Sequence, residues 1–273
     1  MGSASRVCRR REPHHRNPGA SSDYQWGGKS IKPPNVGKWS KHLVLLQDEK
    51  LHPYLPDTVR FSPEALWSHL EKYGAVILKP SGGGGGAGII KLTQLEDEKF
   101  LVHSGSGKKT LDGRTAAVAY IRSLFRPKPY LIQPYLSLGQ IQGRPFDVRV
   151  MIQRKKGQPW VVTGWLAKLA GPGYIVTNVA RSRGKVLPLG TALAQSNCQV
   201  VPELRETLQE LALTVGYRLG KKYPTLRMVG LDVGIDVSGH PWIIEANFRP
   251  AISLFQKLPD RRMYRQIIGH RSS

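Results

Sequence analysis

Residues 229–250 constrain this chain more than any other stretch. Two runs of β-forming residues flank Ser238-Gly239, a two-residue turn signal of the kind that closes an antiparallel pair. A turn at those residues sets Val237 against His240, and counting outward sets Asp232 directly opposite Glu245. A four-residue loop centred there gives the same register. Side chains alternate along a strand, so Asn247 shares the face of Glu245. Opposed carboxylates with Cβ atoms about 5 Å apart repel one another. A cation between them removes that cost, and the oxygen-only donors Asp232, Glu245 and Asn247 suit Mg²⁺ carried in with substrate phosphates. A solvated hairpin face is the competing reading of the same residues.

Upstream, Ser81 is followed by five consecutive glycines, Ala87 and Gly88. Gly83, Gly85 and Gly88 match G-x-G-x-x-G, a weak signal alone. A dinucleotide site needs a helix after the glycines. Here Ile89-Ile90-Lys91-Leu92 follows, which is strand-like. The segment therefore reads as a β-turn lid whose bare N–H groups, at Gly83, Gly84, Gly85, Gly86 and Gly88, can approach phosphate oxygens. Lys79 ends the preceding strand and sets an ammonium beside them. Each glycine costs ordering entropy, which argues against a purely structural run; a solvated surface hairpin is the alternative. Protein kinases also use a glycine lid, but their H-R-D and D-F-G signatures are absent.

The 273 residues suffice for one large or two moderate domains. Net charge is +22, and residues 113–202 hold thirteen Lys/Arg against one acid, Asp147. Such a field attracts polyanions: a nucleoside triphosphate, a nucleic acid or an acidic polymer. No nucleic-acid module spacing is present, so nucleic acid is not the expected partner. Cys8 and Cys198 match no metal or redox spacing, which points to a reducing, cytoplasmic compartment. No apolar run is long enough to span a membrane. The first 37 residues carry seven Lys/Arg and few large apolar side chains, and read as a flexible basic tail.

The pattern predicts helices over residues 39–46, 63–73, 114–125 and 202–221. It predicts strands over 75–79, 89–92, 130–133, 145–153 and 160–169, besides the hairpin. The basic stretch 261–273 is expected to cover a sheet edge. Strands and helices without βαβ regularity make the chain α+β.

A strand ending in Lys79, a glycine lid, the apolar hinge Leu131-Ile132-Gln133-Pro134-Tyr135-Leu136 and a hairpin ending Glu245-Ala246-Asn247 occur here in that order. This set resembles the ATP-grasp superfamily, in which two α+β lobes clamp ATP, and is most similar to its YheC/YheD endospore coat-associated family. Gly37-Lys38-Trp39, Leu55-Pro56-Asp57-Thr58, Arg144-Pro145-Phe146-Asp147-Val148-Arg149-Val150, Gly171-Pro172-Gly173 and Thr177-Asn178 also carry the likeness. The resemblance implies a first lobe over residues 38–135 and a second over 136–273. It also implies that Asp232, Glu245 and Asn247 hold Mg²⁺ and that Lys38 and Lys79 contact phosphates. Gln133, Tyr135 and Leu136 would meet adenine, and Gln140 the ribose. Arg149, with Asn178 beside it, would face the transferring phosphoryl group.

Three departures stand out: Gln140 replaces the usual ribose acid, Gly230 an arginine of D-alanine–D-alanine ligases, and Ala251 a glycine. A 37-residue tail stands where such enzymes carry a further acceptor-binding domain. The expected function is a carboxylate–amine ligase using ATP and Mg²⁺ through an acyl phosphate, its carboxylate and amine unnamed by the sequence. Two alternatives accompany it: a spore-coat-associated protein that binds ATP with little turnover, its partners coat components, and a polyanion-binding protein.

Overall fold

The computed structural model describes Tyr24–Trp26, Lys29–Ile31 and residues 34–271; most of the expected tail lies outside the described residues. Tyr24–Trp26 and Lys29–Ile31 pair as a small antiparallel ribbon.

Two antiparallel sheets dominate. The first runs in the order Val59–Arg60, Tyr130–Pro134, Ala75–Pro80, Ile90–Gln94, Lys99–Ser104 and Gly107–Asp112. Its helix Pro63–Tyr73 starts where the sequence predicts. Ser62 Oγ accepts from Ala65 N–H at 3.1 Å, Pro63 fits the first turn, and Gly74 caps the end at φ 68°. That helix and Arg114–Ser123 bury Leu66, Leu70, Ala117 and Ile121 against Val76, Leu78, Ile90 and Leu92. The sequence pattern misses the last two strands of this sheet, because Gly107–Asp112 is largely exposed and carries little apolar alternation.

The second sheet is ordered Lys185–Leu187, Val161–Leu169, Arg144–Gln153, Met228–Ile235 and Pro241–Asn247. Every residue of Met228–Ile235 is buried, because the sheet is covered on both faces. Val229, Leu231, Val233 and Ile235 join Leu208, Leu211, Val215 and Leu219 of the helix Leu204–Lys222 in the larger core. On the other face Met228 packs with Phe255, Leu258 and Ile267. The C-terminal helix Arg262–Arg271 thus covers a sheet face rather than an edge, because Ile267 gives it an apolar side.

Packing also moves the lobe boundary. Val44 and Leu45 of the helix Lys38–Leu45, with Leu51 and Leu55, bury into the second core, not the first. Asp48 ties this segment to the long helix through an ion pair with Arg218. Residues 38–55 therefore belong with the second lobe. Only their N-terminal end reaches the first lobe, where Lys38 N–H bonds the Ser81 carbonyl at 2.7 Å.

Candidate functional site

The hairpin register sets the centre of the site. Asp232 pairs with Glu245 and Gly230 with Asn247, as the count predicts, but two irregularities combine to produce that result. The turn has three residues, not two: Asp236 N–H bonds the His240 carbonyl at 3.0 Å, and Gly239 takes φ 88°. Asp236 dictates this turn, since its Oδ1 accepts from Ser238 N–H (3.0 Å), Ser238 Oγ (2.6 Å) and His240 N–H (3.0 Å). The longer turn slips the register by one, pairing Val233 with Ile243. A bulge at Ile244 then slips it back before Glu245. The carbonyl of bulged Ile244 accepts from Lys79 Nζ at 3.2 Å, joining the lobes at the site.

Around Asp232 lies a buried network of charge. Arg149, opposite it on the neighbouring strand, donates to Asp232 Oδ1 and Oδ2 at 2.6 and 3.0 Å. Lys168 reaches Asp232 Oδ1 at 2.8 Å and Asp147 Oδ1 at 3.0 Å. Asn247 Nδ2 donates to Asp232 Oδ2 at 2.9 Å, and Thr177 Oγ1 donates to Asp147. Burial would raise the Asp232 carboxyl, but Arg149 and Lys168 outweigh it and hold the group at about 2. Arg149 Nη1 is buried without a hydrogen-bond partner among the described residues, which leaves one strong donor for an anionic ligand. Gly230 makes room for this arrangement: a Cβ there would come within 3.1 Å of Arg149 Cδ and Nη1 and 2.5 Å of Pro250 Cβ. The guanidinium packs against Gly230 from the adjacent strand.

Between the lobes runs a crevice lined by Lys38, Lys41, His42 and Lys79 with a single acid, Glu245. Apolar walls are supplied by Leu45, Leu55, Leu131 and Ile243, and Thr58 and Gln133 add polar groups. Burial lowers Lys79 to about 8, partly offset by Glu245, and lowers neighbouring His42 to about 4. Lys38 Nζ lies 3.3 Å from Glu245 Oε1 and 2.9 Å from the Gly83 carbonyl. Lys41 Nζ donates to the Ala246 carbonyl at 2.5 Å.

Over the crevice, Gly83, Gly85, Gly86 and Gly88 adopt φ between 69° and 89°, a conformation that side chains resist. Arg181 Nε bonds the Gly85 carbonyl at 2.9 Å, so the loop reaches the second lobe. A Cβ at Gly85 would lie 3.6 Å from Asn178 Nδ2. Asn178 also caps the short helix Val179–Ser182, its Oδ1 accepting from Arg181 N–H at 2.8 Å.

Lys38, Lys79, Gln133 and Glu245 thus line one crevice, and Lys38 ties it to the glycine loop, with Asn178 at the loop's far side; Arg149, Asp232 and Asn247 form the buried network beside it rather than its lining. Tyr135, Leu136 and Gln140 are absent from its lining. Tyr135 lies under Lys91 Nζ, 3.3 Å from the ring centroid, and Gln140 N–H bonds Asn197 Oδ1 at 2.7 Å. Sequence reasoning missed Lys168, Arg181, Thr58, Lys41 and His42. Only Lys168 left a signal: a lysine in an apolar strand, paired in register with Asp147.

The donors fit a hard divalent ion. Asp232, Glu245 and Asn247 offer oxygen on one patch, with no soft ligand competing. Among the described residues no group of three or more His, Cys, Asp or Glu gathers, at this hairpin or elsewhere, so the fit rests on two carboxylates and an amide.

A model of the YheC/D-like ATP-grasp family matches residues 28–271. The endospore coat-associated protein YheD of Bacillus subtilis is 30% identical over 224 residues, 80% of this chain and 49% of that protein. YheC of the same organism is 27% identical over 218 residues, 78% of this chain and 59% of its own length. The chain therefore spans about half the length of these curated relatives. In fold it is similar to the VanG D-Ala:D-Ser ligase of Enterococcus faecalis, with TM-score 0.52, 16% identity, and 86% and 61% of the two chains covered. The D-alanyl-alanine synthetase A of Vibrio cholerae gives TM-score 0.51 at 11% identity, covering 88% and 60%.

Proposed function

Because the chain belongs to the YheC/D-like ATP-grasp family, we propose that it binds Mg²⁺–ATP between its lobes and joins a carboxylate to an amine. The observation that carries this reading is the pairing of Asp232 with Glu245 beside Asn247, across the crevice from buried Lys79. Asp232, Glu245 and Asn247 would hold Mg²⁺, which when bound neutralises charge on the transferring phosphoryl group.

The chain's own residues supply the rest. Lys79 and Lys38 exchange the Ile244 carbonyl and Glu245 for phosphate oxygens. The glycine loop covers the phosphates with N–H groups and limits water access. Arg149 keeps Asp232 ionised and offers Nη1 to the γ-phosphoryl or acyl phosphate. A substrate carboxylate oxygen attacks the γ-phosphorus, the bond to the β–γ bridging oxygen breaks, and ADP leaves. The amine nitrogen then attacks the acyl carbon, the C–O bond to phosphate breaks, and the nitrogen loses a proton. The site mainly positions and screens charge.

A second reading has the names of the relatives in its favour: an endospore coat-associated protein that binds ATP with little turnover, its partners being coat components. ADP release separates the two. The full chain with Mg²⁺–ATP and a pool of amino acids and short peptides is expected to release ADP well above the level without the pool, and Lys79→Met to abolish the increase. ADP at background with every acceptor overturns the ligase reading and leaves nucleotide binding standing.

A further inference from the structure

We propose that Lys91, His103 and Lys108 form an anion site beside the crevice that takes the carboxylates of an acidic peptide, the substrate to be ligated. This names the substrate class of the reaction proposed above and rests on that reading.

Register sets the three side chains in one row. Gln133 pairs with Ile77, Ile77 with Lys91, Lys91 with His103 and His103 with Lys108, across five neighbouring strands. Residues paired directly across a sheet share a face. It is the face turned away from the helices, because Val76, Ile90 and Val102, which alternate with the row, pack with Leu66 and Ile121. Gln133 lines the crevice, so the row runs outward from it. The second lobe meets the row at Gly173, whose backbone acts on the His103 ring.

Nothing in the fold answers the charge of this row. His103 is 7% exposed, yet its Nε2 makes no hydrogen bond of good geometry among the described residues. Lys91 Nζ rests on the Tyr135 ring, 3.3 Å from its centroid, rather than on an acid. Burial first and Lys108 second push Lys91 and His103 below their ordinary pKa values, and Lys91 adds to the effect on His103. The charges acting on Lys91 and His103 are thus cations of the same row, and an anionic ligand relieves their repulsion. Strands lie about 4.8 Å apart, so the backbones of Lys91 and Lys108 stand about 10 Å apart. An extended peptide presents side chains to one side every ~7 Å, so successive carboxylates of an acidic run reach both lysines. The reaction consumes a carboxylate. A chain bearing several serves the transfer site and the row together.

The test is equilibrium binding of a fluorescently labelled hexaglutamate peptide, and of a neutral Gly-Ser hexapeptide, to the full chain, with ATP titrated into the same samples. Hexaglutamate is expected to bind at least about tenfold more tightly than the neutral peptide. Lys91→Gln/Lys108→Gln is expected to weaken it about tenfold, the worth of two partly exposed ion pairs, with ATP affinity kept within about twofold. Because the chain carries +22 overall, the control is Lys221→Gln/Lys222→Gln, which removes the same charge from the exposed end of the long helix. It is expected to change hexaglutamate binding less than about twofold. Equal losses in the two double variants reduce the effect to net charge and overturn the site. Loss of ATP affinity rather than peptide affinity in Lys91→Gln/Lys108→Gln assigns the row to the nucleotide and overturns it too, as does tighter row-dependent binding of a single-stranded oligonucleotide. Peptide binding needs no turnover, so row-dependent hexaglutamate binding without ADP release removes the ligase reading and leaves the anion site standing.

Discussion

Lys79 is buried, and among the described residues its ammonium donates to a backbone carbonyl, that of Ile244. Burial lowers its pKa to about 8 from an ordinary value near 10.5, although Glu245 pulls the other way. A phosphate favours the charged ammonium, so a nucleotide complex holds this proton more tightly than the free protein does. Linkage then fixes the sign: affinity for Mg²⁺–ATP loses nothing through Lys79 below pH 8 and falls as pH rises above it, by up to about tenfold per unit. Titrations between pH 7 and 9.5 check this. Lys79→Met is expected to bind weakly at pH 7 and to lack the decline, whereas a level profile in the unaltered protein would remove Lys79 from the phosphates. The sequence made Lys79 legible because it ends a strand beside the glycines. It left Lys41 and His42 silent, because nothing local distinguishes them from surface polar residues.

At the scale of elements, the hairpin shows why a count from sequence can reach the right pair through the wrong turn. Asp236 satisfies three donors at once and forces a three-residue turn, and the bulge at Ile244 cancels the slip. The bulge has no signature in the residues themselves: Ile244 looks like any strand isoleucine. The helix Pro63–Tyr73 was legible in full, since Ser62, Pro63 and Gly74 are local signals. The meeting of Lys168 with Asp232 was not, because it needs a strand pairing between distant segments. Gly230 belongs to the same class. Its bareness reads as a lost arginine, but it admits Pro250 and the Arg149 guanidinium. Gly230→Ala is expected to destabilise the fold by about 1–3 kcal/mol, since Pro250 cannot swing aside. Thermal unfolding would register this as a drop of several degrees. An unchanged melting temperature would mean that the strand relaxes freely there.

For the whole molecule, two antiparallel sheets hold the crevice between them, and the helix Lys38–Leu45 belongs by packing to the second lobe while its first residue touches the lid. The α+β class and the ATP-grasp fold were legible from the order of motifs, whereas the boundary at residue 38 was not, since helical periodicity does not say which core a helix joins. The described residues include no helix long and apolar enough to cross a membrane. Positive charge is concentrated where the crevice needs it: three lysines line it against one acid, while burial keeps His42 neutral. Calorimetric titration of ATP into the full chain, with Mg²⁺ and then with Mg²⁺ chelated, tests most directly whether the hairpin collects a metal–nucleotide pair. Binding is expected with Mg²⁺, to weaken at least about tenfold without it, and to weaken alike in Glu245→Gln at unchanged melting temperature. ATP affinity indifferent both to chelation and to Glu245→Gln would contradict it.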